Sequence, residues 1–183
     1  MIKYCFIKDE ETGLVQLGAG CSDDYYEAIG MEKRDVKQSD IDFNWYLKEK
    51  CPSKTKQEKF KEAKEAKYQE ALQGAYDFIN YEAAYRFDEE NSIEATDGNI
   101  GKFTGYVVGF MSGTLVSVTW TSKEDNVIEF TSLEEVQRVL MGLGAIQTDV
   151  WSRQFVSYKK KIEEATTIKE VETIEIDYKN LDE

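Results

Sequence analysis

Alternation of apolar and polar residues predicts a small strand-rich module at the start of the chain. Residues 2–7 and 14–17 have β-type patterns and flank a polar turn at 9–13. Ser22 precedes two acids and a short run that ends at Gly30, which predicts a helix with a serine N-cap. Two further strands are predicted at 31–36 and 43–48. Residues 1–51 are therefore expected to form a ββαββ module.

A long helix is predicted next, in a linking segment that covers residues 52–80. Pro52 is the only proline in the chain, and it marks a boundary. Ser53 is the expected N-cap of a helix from 54 to about 79. The first half of this helix is nearly all polar, so it forms either an exposed spacer or a surface that a partner completes. The candidate partner surface here is Phe60, Ala63 and Lys67.

The pattern of residues 81–183 predicts a second α+β domain. Hairpins are expected at 84–95 and 117–130, and Thr96 is the predicted cap of a helix over 97–112. Overlapping capping boxes, Thr131 with Glu134 and Ser132 with Glu135, open a long amphipathic helix that Gly142 and Gly144 are expected to bend. Another capping box begins at Thr167. The domain thus combines two short hairpins with a glycine-rich helix and a long amphipathic helix.

One stretch, residues 103–120, carries no charge and begins within a glycine repeat. It barely approaches the ~20 apolar residues of a membrane span, and strict alternation over 116–121 favours a strand in its second half. A membrane span is therefore not expected. Glycines inside a helix are unfavourable, so they predict close packing against another backbone, while a ligand cradle is the alternative. The candidate packing surface consists of Gly101, Gly105 and Gly109.

Composition narrows the possible chemistry. The net charge of −13 argues against nonspecific binding to nucleic acid or to anionic membranes. The absence of histidine removes the commonest general base and most zinc sites. Three dispersed cysteines and no signal-peptide pattern indicate a reducing compartment without structural disulfides. An acidic turn at 40–44 lacks the glycine and glutamate of a calcium loop. We expect no catalytic, cofactor-binding or metal-binding residues.

The order of elements after residue 60 resembles a known family. The resemblance lies in IEATD at 93–97, VTWT at 118–121, VW at 150–151 and IEEATTIKEV at 162–171. These segments are similar to an uncharacterised C-terminal domain of tailed-phage proteins associated with tail fibres or their assembly. The resemblance covers roughly residues 60 to 178, and residues 1–47 are less specifically similar to the leading module of such proteins. It carries no catalytic motif.

The resemblance implies a non-enzymatic role in the virion or its assembly. The expected partners are phage tail or fibre proteins, with possible self-association, in the virion or in the cytoplasm of the infected host. An acidic inhibitor of a host defence enzyme, imitating nucleic acid, is the alternative that the net charge suggests. A hydrolase with paired carboxylates is a third hypothesis, and no motif selects a pair.

Overall fold

Four strands and one short helix form the first unit in the computed structural model, which describes residues 1–179. All strand pairs are antiparallel, and the order β1-β2-β4-β3 closes because β3 also pairs with β1. The predicted order of elements is confirmed, whereas closure into a barrel was not predicted. The elements are β1 (Ile2–Asp9), β2 (Leu14–Leu17), α1 (Asp23–Ala28), β3 (Glu32–Gln38) and β4 (Trp45–Leu47).

The two faces of β1 have different partners. Cys5 points inward and is buried with Val15 and Val36. Tyr4 lies on the other face, where it packs with Tyr26 of α1 and Met31. Since side chains of a strand alternate between faces, a single strand supplies both small cores. As predicted, Ser22 caps α1 by accepting a hydrogen bond from the Tyr25 amide.

The long helix α2 spans Lys56–Asp77 and widens into a π-helical turn at Phe78–Glu82. Its cap is Thr55, so the prediction of Ser53 was wrong. The Thr55 hydroxyl accepts from the Glu58 amide at 3.1 Å, and the Glu58 carboxylate accepts from the Thr55 amide at 2.7 Å. Of Ser53 and Thr55, only Thr55 has an acid three residues later, so only Thr55 can form both hydrogen bonds of a capping box. The first unit is Met1–Phe60, and a second unit begins at Lys61.

The second unit contains the predicted hairpins and helices. Thr96 caps α3, and Ser132 with Glu135 forms the capping box of α4, so the structure uses one of the two overlapping boxes. Thr167 caps α6 as predicted. The elements are β5 (Ala84–Arg86), β6 (Ser92–Glu94), α3 (Asp97–Met111), β7 (Val118–Thr121), β8 (Val127–Phe130), α4 (Leu133–Thr148), α5 (Val156–Glu164) and α6 (Ile168–Glu172). The fold is α+β, as expected.

One core lies between α3, α4 and the two hairpins. Phe103 is fully buried, with its ring centroid 5.0 Å from that of Trp120 and 5.6 Å from that of Phe130. Helix α4 runs without a break through Gly142, where the ring of Tyr85 occupies the space that a side chain would need. Gly142 therefore serves packing, not the predicted bend. The helix widens only later, in a π-helical segment at Asp149–Phe155.

The end of the described chain packs back onto α2 within the second unit. Tyr178 is buried, and its hydroxyl donates to the Ala71 carbonyl at 2.8 Å. Gln154 holds the neighbouring backbone, because its amide group donates to the Lys179 carbonyl at 3.0 Å. Within residues 1–179, no helix is long and apolar enough to cross a membrane.

Candidate interaction surfaces

The glycines of α3 do not share one packing role. Gly109 is buried, and the side chain of Leu115 fills the space beside it. The chain returns there because Gly113 adopts a φ of +70° and the amides of Thr114 and Leu115 bond to the Gly109 carbonyl at 3.0 and 3.1 Å. Gly109 thus has a packing reason, although its neighbour is a side chain from the adjoining turn and not the predicted second backbone.

Gly101 and Gly105 contradict the packing prediction. A Cβ built at either position has no neighbouring atom within 4 Å. The core contacts of α3 lie on the opposite side, where Phe103 is buried, so the glycine side is open. We define the open face of α3 as six exposed residues: Gly98, Gly101, Thr104, Gly105, Val108 and Met111. Val108 and Met111 are 59% and 68% exposed.

The candidate surface on α2 is only partly accessible. Phe60, Ala63 and Lys67 are all half-buried. The Lys67 side chain is 14% exposed, and its ammonium lies 2.8 Å from the Glu70 carboxylate. The remaining residues of the first half of α2 are mostly exposed and polar. The three predicted residues therefore do not form an apolar surface that faces solvent.

A tightly bonded loop joins β3 to β4, and we call residues 39–44 the tip loop. The Ser39 amide donates to the Asn44 carbonyl at 2.8 Å, and the buried Ser39 hydroxyl accepts from the Ile41 amide at 3.1 Å. Asp42 accepts from the Asn44 amide at 3.1 Å and from the Tyr46 hydroxyl at 2.7 Å. These donors lower the pKa of Asp42 to about 2. The Asp42 carboxylate thus holds the tip loop in this conformation.

The tip loop holds two large apolar side chains in solvent. Phe43 is 73% exposed and Ile41 is 54% exposed. Phe43 also has a φ of +61°, in the left-handed region that bulky residues rarely adopt. Its carbonyl is held by the Gln38 side-chain amide at 2.8 Å. Such a conformation costs on the order of 1–3 kcal/mol and persists only where surrounding bonds impose it. The fold therefore keeps an aromatic ring exposed against a local preference.

The tip loop is also anchored to the start of α2 and to the residues just before it. Asp40 lies 2.7 Å from the Lys59 ammonium and accepts from the Lys54 amide at 2.8 Å. Sequence reasoning treated residues 40–44 as a polar turn and missed Ile41 and Phe43. The available signal was the presence of two large apolar residues inside an acidic turn, where only polar residues are needed.

Acids in other turns mainly bond to the local backbone. The Thr12 side chain and the amides of Thr12 and Glu11 lower the pKa of Asp9, whose carboxylate accepts from both amides. Glu124 joins two hairpins, because it accepts from the Ser92 amide at 2.8 Å and from the Ser92 hydroxyl. The Ser92 donors lower the pKa of Glu124 to about 2. Turn formation therefore accounts for Asp9, and the joining of two hairpins accounts for Glu124.

The described residues and the comparisons add no ligand site. Within residues 1–179, no group of three or more Cys, Asp or Glu side chains is placed to hold a metal ion. Cys5, Cys21 and Cys51 are free thiols. Comparison of the chain with models of protein families, with curated proteins and with solved structures found no match. The tip loop and the open face of α3 are the candidate interaction surfaces.

Proposed function

We propose that this protein is a non-enzymatic, tail-associated protein of a tailed bacteriophage that acts through protein–protein contacts. The resemblance of residues 60–178 supports the phage context. The tip loop carries the proposal of contact, since Phe43 is 73% exposed at a φ of +61°. Tail or fibre proteins are the proposed partners, and the virion or the infected host cytoplasm is the proposed location.

The tip loop has the properties of a binding anchor. Binding energy at protein interfaces concentrates in a few large side chains, with aromatic residues prominent among them. A loop whose backbone is already ordered loses less entropy when a partner binds it. The bonds from Ser39, Asp42 and Gln38 provide this order before binding. Phe43 and Ile41 would then enter an apolar pocket of the partner.

Incorporation into phage particles tests this function. Particles assembled with the wild-type protein, with Phe43→Asn or with Tyr81→Asn would be purified and compared by quantitative mass spectrometry. Tyr81 is a matched control because it is an aromatic residue that is 77% exposed outside the tip loop. We expect Phe43→Asn to lower the amount of protein per particle or per co-purified tail complex at least tenfold, whereas Tyr81→Asn leaves it unchanged. Equal amounts for all three proteins would refute the role of the tip loop.

The acidic inhibitor remains the second proposal, supported by an uneven charge distribution. Residues 61–183 contain 13 basic and 24 acidic side chains, a net charge of −11 out of −13 for the chain. Binding to a nucleic-acid-binding enzyme would weaken steeply as salt rises, because it depends on charge. Binding through Phe43 would change little. Measuring the affinity for an identified partner at 50 and 500 mM salt therefore separates the two functions.

A further inference from the structure

Residues 174–179, which we call the strap, follow α6 and lie on the second unit outside any helix or strand. The backbone of the strap is held by side chains. The Tyr158 hydroxyl accepts from the Asp177 amide at 3.0 Å and donates to the Asp177 carbonyl. The Gln154 side chain likewise bonds to both backbone groups of Lys179, accepting at 3.3 Å and donating at 3.0 Å.

These contacts bind the strap in the way that a neighbouring strand would. Residues 175, 177 and 179 are exposed, whereas 174, 176 and 178 are covered by the protein, which is the alternation of an extended chain. Gln154 and Tyr158 are four residues apart in the helical stretch 149–164, so they project from one side of it. Two side chains at this spacing therefore hold alternate residues of the strap through backbone groups that every residue except proline offers.

One side chain of the strap makes the contact specific. Tyr178 is buried, its ring stacks on that of Phe78 with the centroids 6.2 Å apart, and its hydroxyl donates to the Ala71 carbonyl at 2.8 Å. Gly74 of α2 provides the space, because a Cβ there would lie 3.3 Å from Tyr178 and 3.4 Å from Ile176. The strap therefore lies in a groove between α2 and the stretch 149–164, with a pocket for a tyrosine.

We propose that this groove is a binding site for an extended, acidic peptide segment that contains a tyrosine, and that its ligand from outside the chain is the strap of a second copy. In extended-peptide recognition, main-chain hydrogen bonds supply affinity and side-chain pockets supply specificity. The groove has both, and within one chain its own strap occupies it. Lys161 lines one cavity with Glu175 and Asp177, which places a positive charge beside two carboxylates of the strap.

The strap can leave the groove without unfolding the rest of the second unit. Tyr178 is the only buried residue among 174–179, and no strand pairs with this segment. Segments with few buried contacts open at a fraction of the free energy of global unfolding. A second copy regains the contacts that the first loses, so exchange of straps is a low-cost route to a pair. Six extended residues span about 20 Å, which lets a released strap reach a neighbouring copy.

A labelled peptide with the sequence of residues 173–179 tests the groove, with the full chain as receptor and fluorescence anisotropy as the measurement. Tyr178→Ala empties the pocket. Asp177→Pro is a second receptor, because it removes the amide that Tyr158 binds and changes no buried side chain. We expect both receptors to bind the peptide with a dissociation constant on the order of 100 µM. The wild type should bind about tenfold more weakly or less, since its own strap competes.

Two altered peptides are the controls. A peptide with alanine in place of the tyrosine should bind about tenfold more weakly, and so should a peptide of the same composition in shuffled order, which has the same charge. Equal binding of the shuffled peptide would show that only charge is recognised and would overturn the proposal. So would equal binding to the wild type and to the two receptors, or no binding to either receptor at about 1 mM peptide.

Two variants of the chain test exchange between copies. Gly74→Leu fills the groove and keeps an intact strap, whereas Tyr178→Ala keeps an open groove and has a defective strap. Each alone should be monomeric. An equal mixture at about 500 µM should form a one-to-one pair, with a mass in analytical ultracentrifugation that rises from 21.1 kDa towards twice that value. A mixture no heavier than its components overturns the proposal.

The double variant Gly74→Leu/Tyr178→Ala is the control for the mixture, because it has neither groove nor strap and should not pair with Tyr178→Ala. Gly74→Leu should fold, since leucine is favoured over glycine inside a helix and the atoms nearest to its Cβ belong to the strap. The groove lies in the second unit and the tip loop in the first. Phe43→Asn should therefore leave peptide binding unchanged, and either proposal can fail while the other stands.

Discussion

The same substitution at Gly105 and at Gly109 should change stability in opposite directions. Alanine is favoured over glycine inside a helix by about 0.8–1.0 kcal/mol. Nothing lies within 4 Å of a Cβ at Gly105, so Gly105→Ala should raise the free energy of unfolding by up to about 1 kcal/mol. A Cβ at Gly109 would lie 2.7 Å from the Leu115 Cγ. Moving Leu115 costs about 1–3 kcal/mol, so Gly109→Ala should lower that free energy by about 0–2 kcal/mol.

Urea denaturation followed by circular dichroism measures both changes. The protein should be at a few micromolar. The difference between the two changes in the free energy of unfolding cancels the helix-propensity gain. It leaves the steric cost at Gly109, about 1–3 kcal/mol. Gly144→Ala is the control, because Gly144 lies inside α4 with nothing within 4 Å of its added Cβ. Equal stabilisation by Gly105→Ala and Gly109→Ala would show that Leu115 does not occupy the space beside Gly109. A loss of stability in Gly105→Ala would show that the open face is covered within one chain.

Three other positions give further tests. Phe43→Asn should leave stability unchanged or raise it by up to about 1 kcal/mol in urea denaturation, because asparagine tolerates a positive φ; a loss of stability would mean that the ring packs. Ser132→Ala should cost about 1 kcal/mol in the same assay and Thr131→Ala much less, since the structure uses only the Ser132 box, and equal losses would contradict this. Burial raises the pKa of the Tyr178 phenol above its ordinary value of about 10. The stabilisation by Tyr178 is therefore present below pH 10 and lost as pH rises further. Between pH 7 and pH 10.5, the urea midpoint should fall more for the wild type than for Tyr178→Phe.

Local signals allowed most elements to be predicted from sequence. Ser22, Thr96 and Thr167 cap the helices that follow them because a short polar side chain and nearby amides suffice for a cap. The hairpins were predicted from alternation and turn residues in the same way. The N-cap of α2 is Thr55 and not the predicted Ser53, because only Thr55 is followed by an acid, Glu58, that completes the capping box. These features depend on residues within a few positions of one another.

Features that depend on distant residues could not be predicted. The barrel closes because Tyr4 of β1 pairs with Lys33 of β3, and no local pattern specifies that register. The environment of a glycine is equally nonlocal. Gly109 and Gly105 occupy the same repeat in sequence, yet a turn brings Leu115 to the first and nothing to the second. The repeat alone predicted one role for both.

The candidate site was missed for a related reason. The bonds that hold Phe43 in its strained conformation come from Ser39, Asp42 and Gln38, and turn composition alone does not show which side chains they leave exposed. The buried core of the barrel is formed by Cys5, Val15 and Val36, and Phe43 is not part of it. Exposure of Phe43 is a result of the whole unit.

Closure of the barrel also constrains the order of events during synthesis. Strands β2 and β3 each pair with β1 on one side and with β4 on the other, so both keep an open edge until β4 (Trp45–Leu47) has been made. At about 5–20 residues per second, the interval between completing β1 and completing β4 lasts about 2–8 s. Unpaired edges of this kind can bind other nascent strands. The short strand β4 therefore ends the period in which the first unit of the growing chain is open to wrong pairing.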